Sequence, residues 1–282
     1  MKLTNPNADI FVPDGKPLAD ALARTTHLGI CAHQDDLEFM AVHGILSCFG
    51  QRDKAFTGVV ATDGAGSSRA GIYAAYTDAE IAAVRPGEQR KAAIVGEYAA
   101  MLQLGYTSAQ VKDPKNGNVV ADILAILQVA KPQFVYLHNP ADKHDTHIGT
   151  TLRAIAALRK LPKAARPQKV YGCEVWRSLD WLVDADKQIH DVSAFPNLQA
   201  ALNGVFDSQI TGGKRYDLAV IGRRLANATF YDSHSSDKAT ALQWAMDLTP
   251  LIEDDTLDVI DYTLGFVARL AADIQARVGK LS

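Results

Sequence analysis

The sequence predicts an α/β protein of three layers, and three observations carry that prediction. Short, continuous apolar runs rich in β-branched and aromatic residues alternate with longer stretches of helical periodicity over the first two-thirds of the chain. The apolar runs are hydrophobic along their whole length, as strands covered on both faces of a parallel sheet are. Clusters of Gly, Pro, Asp and Ser separate the two kinds of segment. Together they describe a Rossmann-like fold with a mostly parallel sheet and a C-terminal cap region.

In chain order, strands are expected at 26–32 (THLGICA), 55–62 (AFTGVVAT), 133–139 (QFVYLHN) and 169–176 (KVYGCEVW). Helices are expected at 37–49, 78–104, 119–130 and 147–160, where apolar residues recur at three- and four-residue spacing among Ala, Leu, Gln, Lys and Glu. A weaker strand is placed near Gln110-Val111-Lys112. Loops are read at 63–71 (DGAGSSRAG), 113–117 (DPKNG) and 161–168 (LPKAARPQ). The polar and aromatic segment from 177 to about 235 reads as a cap around a site. The stretch 256–278 has helical periodicity, with Thr256 as its N-cap. No internal repeat or composition break divides the 282 residues, so they are read as a single domain, with a core over about 25–235 and a helical C-terminal region over about 236–282.

A 48% hydrophobic, 22% charged composition is that of a globular protein, and a formal charge of −3 points to no nucleic-acid or membrane partner. The first fifteen residues carry no signal-peptide core, and no apolar run approaches the ~20 residues that span a bilayer, so a cytoplasmic location is expected. Cys31, Cys48 and Cys173 are odd in number and lack CxxC spacing; they are read as small buried hydrophobes rather than as a disulfide framework or thiolate site.

The chemistry concentrates where strands end. The first strand runs into His33-Gln34-Asp35-Asp36-Leu37-Glu38. In an open parallel sheet that edge faces the ligand crevice. Imidazole nitrogen and carboxylate oxygen both suit a borderline divalent ion such as zinc, and a turn can aim His33 and Asp36 at one centre. Asp35, between them, then points elsewhere and is placed to take a proton from an activated water. The alternative is that Asp35 and Asp36 cap the next helix. A second edge repeats the pattern: His138 ends a strand, and His144-Asp145-Thr146-His147 enters a helix. The HxxH spacing lets one imidazole bind metal while the other faces a reacting carbonyl. His138 is read as satisfying a backbone carbonyl, and His43 as packing or solvated; His27 and His190 show no partner in sequence, and His234 is either a site wall or a surface loop.

With both edges in view, the sequence resembles the LmbE-like or PIG-L family, which includes zinc-dependent N-deacetylases of amino-sugar conjugates. The AHPDDE-like motif stands here as Ala32-His33-Gln34-Asp35-Asp36-Leu37-Glu38, and the HPDH-like motif as His144-Asp145-Thr146-His147. The resemblance implies that His33, Asp36 and His147 hold one Zn2+ per subunit. It also implies that Asp35 is the general base and that His144 stabilises the oxyanion or protonates the leaving amine. TDGAG, RPGEQRKAA (85–93) and DSQ (207–209) are similar to family elements in like positions. Gln34 replaces the family proline, and Thr146 replaces the aspartate that supports the acid histidine, leaving Asp142 and Asp145 as candidates for that support.

DGAGSSRAG matches neither nucleotide-binding pattern and is read as a pocket wall with Asp63 near the edge; no GxSxG elbow is present. Among Arg85, Arg177, Arg215, Arg223 and Arg224, one or two are expected to anchor an anion, with Arg85 and Arg177 taken into the substrate site together with Trp176 and Asp63. Trp181, Tyr216 and Tyr231 suit either core or site. The expected function is metal-dependent removal of an N-acetyl group from a small amino-sugar derivative, with a homo-oligomer left open. A zinc-dependent hydratase of an unsaturated carboxylic acid and a non-catalytic sugar- or nucleotide-binding module are the alternatives.

Overall fold

The computed structural model describes residues 1–282. Its elements are β1 (Asp9–Phe11), α1 (Leu18–Ala23), β2 (His27–Cys31), α2 (Asp36–Met40), α3 (Val42–Cys48), β3 (Phe56–Thr62), α4 (Asp78–Val95), β4 (Ala100–Tyr106), α5 (Ser108–Lys112) and α6 (Gly117–Ala130). There follow β5 (Phe134–His138), α7 (Asp145–Arg159), β6 (Lys169–Cys173), β7 (Gln188–Asp191), α8 (Pro196–Gly204), α9 (Asp207–Ile210), α10 (Tyr216–Phe230), β8 (Leu242–Asp247), α11 (Pro250–Glu253) and α12 (Val259–Leu281).

One eight-stranded sheet runs β1-β4-β3-β2-β5-β6-β8-β7. Its five central strands, β4-β3-β2-β5-β6, are parallel, while β1, β8 and β7 join antiparallel at the two sides. From β2 the chain steps out to β3 and β4, then returns to lay β5 on the opposite side of β2 and continue to β6. The strand order therefore reverses between β2 and β5, and the crevice beyond their carboxyl ends is the topological switch point.

Successive strand residues feed two apolar layers: Leu28, Ile30, Val59 and Leu102 on one face, Cys31, Phe56, Val60 and Met101 on the other. All seven residues of β3 and all five of β2 are buried. Gly29 and Gly58 let α2 lie close to the sheet. A Cβ at either would stand 2.7 or 2.6 Å from the Leu37 side chain. The turn between β2 and α2 is thereby held close to the strand end that carries it.

Several expectations are corrected. The helix expected over 78–104 ends at Val95; Glu97 turns the chain with φ 55°, and residues 100–106 are strand β4. Ala, Met, Leu and Gln are good helix formers, but pairing of Ala100–Gln103 with Thr57–Val60 overrides that preference. The strand placed near Gln110 is helix α5, whose Thr107–Gln110 capping box satisfies its first turn. The helix expected over 37–49 breaks at Ala41 into α2 and α3. The C-terminal region is not helical throughout, because β8 inserts between β6 and β7. The last helix is capped by Asp258, which accepts from Ile260 N and Asp261 N, while Thr256 bonds Asp254. All three cysteines are buried and unpaired.

Candidate metal centre

The β2 strand end delivers His33, and α2 begins at Asp36. Their side chains meet His147, which lies in the first turn of α7 beyond β5. His33 Nδ1 is 3.2 Å from Asp36 Oδ2 and 3.2 Å from His147 Nε2, and His147 Nε2 is 3.3 Å from Asp36 Oδ2. These three atoms thus form a nearly equilateral triangle. Ligands at about 2.1 Å around a tetrahedral ion are separated by about 3.4 Å, so the triangle matches one face of such a coordination shell. Asp36 and His147 are buried.

The electrostatics fit a cation. Burial disfavours the Asp36 carboxylate, yet His147 and His138 hold its pKa well below the usual range. Burial likewise disfavours a charged His147, but Asp36 and Asp142 lift it to about 9. Burial pushes His33 down to about 4, leaving it a neutral imidazole with a lone pair to give. Behind the triangle, Asp142 Oδ1 stands 3.7 Å from His147 Nδ1, the position of the outer carboxylate that orients a ligating histidine. Its other contacts, accepting from His144 N at 3.0 Å and Trp176 N at 3.1 Å, fix it there.

Asp35 does not cap α2 with its side chain. It adopts φ 96°, a conformation rare for a residue with a Cβ. Two residues one turn apart on α4 hold it: Gln89 Oε1 accepts from Asp35 N at 3.1 Å, and Arg85 Nη2 is 3.4 Å from Asp35 Oδ2. Burial drives the Asp35 carboxyl well above its usual range, with Arg85 opposing that shift. Gln89 also donates to Glu38 Oε1 at 2.9 Å, and Tyr98 donates to the same oxygen at 2.7 Å. Gln34 donates to Thr62 O and Gln103 Oε1, so an amide network ties this turn to β3 and β4.

His144 caps α7, its Nδ1 accepting from Thr146 N at 3.3 Å. In the neutral ring the proton then sits on Nε2. Burial lowers its pKa. Its ring packs edge-on to His33, with centroids 4.9 Å apart. Asp142 therefore supports His147 and the His144 backbone rather than the His144 ring. His138 differs from expectation: its Nε2 accepts from Ala32 N at 2.9 Å, tying β5 to β2, and its ring stacks 3.9 Å from His147. With Nε2 so engaged, its partner is a backbone N–H and not a carbonyl.

His33, Asp35, Asp36 and His144 open into a crevice of about 380 Å³, walled by the 64–68 loop, Arg85, Trp176, Gln209 and Tyr216. Of the four residues expected to bind substrate, the fold brings Arg85 and Trp176 to this crevice. Arg85 is committed to Asp35, to the backbone oxygens of Gln34 and Gly64, and to Ser67 Oγ. Asp63 and Arg177 do not line it: Asp63 folds back onto Ala65 N, and exposed Arg177 donates to Ala141 O. Arg223 and Arg224 hold backbone oxygens of Val175, Glu38 and Phe39, and Arg215 pairs with Asp217 on the surface. His43 bonds Tyr136 Oη and stacks on His190, His27 contacts Thr26 and Cys48, and His234 is exposed. Sequence reasoning gave no individual role to Gln89 and Gln209, which lie in the family-like stretches 85–93 and 207–209, and missed Lys112 and Lys214; the four-residue spacing of Arg85 and Gln89, one helical face, was a legible signal. A wider groove of about 900 Å³ lies at the opposite edge of the sheet, around Arg24, Arg52 and Lys131, away from the His/Asp clusters.

The fold and this triangle define a class: an α/β domain with a His/Asp group suited to a metal ion at the switch point of a parallel sheet. Residues 28–158 match the family model described as PIG-L, GlcNAc-PI de-N-acetylase. No curated protein matches the chain. Among solved structures, N,N'-diacetylchitobiose deacetylase from Pyrococcus horikoshii is 18% identical with a TM-score of 0.62, over 82% of this chain and 86% of that one. The 4-carboxy-2-hydroxymuconate hydratase GalB from Pseudomonas putida is 16% identical with a TM-score of 0.61, over 79% and 96%. The conserved protein TT1542 from Thermus thermophilus is 16% identical with a TM-score of 0.59, over 83% and 99%. At these identities the likeness is one of fold.

Proposed function

We propose that the protein is a zinc-dependent N-deacetylase acting on a small amino-sugar derivative. The observation that carries this reading is the triangle of His33 Nδ1, Asp36 Oδ2 and His147 Nε2, with a separate buried carboxylate, Asp35, beside it. The two-imidazole, one-carboxylate donor set suits zinc and leaves further coordination positions for water and substrate. When bound, the ion supplies Lewis-acid polarisation of the amide carbonyl and a lowered pKa for water.

The chain's own residues supply the rest. Asp35, held by Arg85 and Gln89, accepts a proton from the attacking water. His144, with Nδ1 occupied by Thr146 N, presents Nε2–H to the oxyanion as the carbonyl carbon becomes tetrahedral. The C–N bond then breaks, acetate forms, and the amine leaves with the proton that Asp35 took from the water. The crevice, with serine hydroxyls on the 64–68 loop and the Trp176 and Tyr216 rings, suits a polyol with apolar ring faces. Asp63 and Arg177 have no part in this reading.

A second reading, hydration of an unsaturated carboxylic acid, is favoured by one observation. Lys112 and Lys214 line the crevice, and no carboxylate lies within 4.0 Å of either. One assay separates the two: acetate release from a panel of N-acetylated amino sugars, with and without chelator. Chelator-sensitive acetate release supports the deacetylase; water addition to an unsaturated acid without acetate supports the hydratase.

A further inference from the structure

Helix α12 carries an apolar seam that the fold leaves uncovered. Ile260, Leu264, Val267, Ala271, Ile274, Val278 and Leu281 follow one another at alternating four- and three-residue steps. That is the 3.5-residue period of a two-helix interface rather than the broader stripe of a helix lying on a core. The other face is the one used within the chain: Phe266 is buried, Tyr262 donates to Asp247 O, and Arg269 pairs with Asp186. Every seam residue is exposed, the large ones from 44% at Val267 to 87% at Leu281.

We propose that α12 is a dimerisation helix whose occupant is α12 of a second copy, packed antiparallel about a twofold axis. The pattern specifies a helical partner with the same period, and a second copy carries the matching seam by construction. The helix is 23 residues, about 35 Å, long. The exposed fractions leave roughly 600 Å² of apolar seam on each copy, so a pair hides about 1,200 Å², the lower end of specific, stable interfaces. Charge sets the direction. Asp258 and Asp261 lie at the start of the helix and Lys280 at its end, beside Arg277, which pairs with Asp273 one turn back on the same helix. Antiparallel pairing brings opposite charges and opposed helix dipoles together, and parallel pairing would stack like on like. In this arrangement Leu264 faces Ile274 of the other copy, and Ile260 faces Val278.

Sedimentation velocity on the full chain tests the proposal. The expected species has twice the 30.4 kDa chain mass, and Ile274→Glu, or separately Leu264→Glu, shifts it to the single-chain mass with an unchanged circular dichroism spectrum. A wild-type chain that sediments as a monomer at tens of micromolar, or a dimer indifferent to both substitutions, overturns the proposal. Oxidative cross-linking reads the direction: the Leu264→Cys/Ile274→Cys double variant is expected to link two chains and Leu264→Cys alone is not. Efficient linking by Leu264→Cys alone overturns the antiparallel arrangement.

Discussion

Arg85 Nη2 stands 3.4 Å from Asp35 Oδ2, and both side chains are buried. Burial and the neighbouring Asp36 push the Asp35 carboxyl well above its usual range, and the guanidinium opposes that shift. Without the guanidinium, Asp35 would add a second uncompensated charge at the strand end. Arg85 is therefore a positioning and charge-balancing residue of the proposed base, and it is spent on that task.

If Asp35 is the base, Asp35→Asn keeps the shape of the turn and the ligand triangle but removes the proton acceptor. Metal content should remain that of the wild type while kcat falls by about 10²- to 10⁴-fold. Steady-state kinetics with metal analysis on the same sample checks this, and unchanged turnover would remove Asp35 from the mechanism.

Gln89 serves two neighbours, accepting from Asp35 N and donating to Glu38 Oε1. Gln89→Leu strands the buried Asp35 N–H, a loss of about 1–3 kcal/mol, and takes away one of the two donors to Glu38 Oε1, leaving Tyr98 as the other. It should also lower kcat, since the strained Asp35 conformation loses its tether. Urea unfolding with parallel kinetics measures both; full stability together with full activity would show that the network is incidental.

The ring of His144 is oriented by the backbone N–H of Thr146, not by its side chain. Thr146→Ala should leave activity within about threefold, whereas His144→Ala should cost about 10²- to 10³-fold in kcat, the scale of losing one oxyanion donor. A large loss in Thr146→Ala would mean that its hydroxyl has taken over the role of the family aspartate.

His27, His43 and His190 are held neutral away from the site, burial pushing them down to about 4, 4 and 3. Between those values and the unfolded value near 6.5 the unfolded chain binds more protons than the folded one. Stability is therefore fully present above about pH 6.5 and falls with acidification, by up to about 1.4 kcal/mol per pH unit for each histidine. The urea midpoint should drop clearly between pH 7.5 and pH 5.0. An equal or higher midpoint at pH 5.0 would show that these rings are not buried as neutral groups.

The sequence made the site more legible than the sheet. His33 and Asp36 follow one clean apolar strand and the His144–His147 pair another, and strand ends in an open parallel sheet converge by topology, so the meeting of the two edges could be read before any coordinates; the choice of His147 came from the family resemblance. Four strands escaped: β1 and β7 are short edge strands of three and four residues, and β4 (AMLQLGY) and β8 (LQWAMD) are rich in helix formers. Only their neighbours β3 and β6 make the last two extended, and that information is not local. The same limit applies to Asp63 and Arg177, whose residue types suit binding but whose side chains are spent on nearby backbone. For Gln89 the signal was present in its four-residue spacing from Arg85, which puts both on one face of α4.

The joint grip of His33, Asp36 and His147 on one divalent ion is tested most directly by metal analysis of the purified chain after loading with zinc and exhaustive dialysis. One equivalent per chain is predicted for the wild type, and less than about a tenth for Asp36→Ala and for His147→Ala, because each removes a corner of the triangle. A wild-type chain that retains no metal, or variants that keep a full equivalent, would contradict the account.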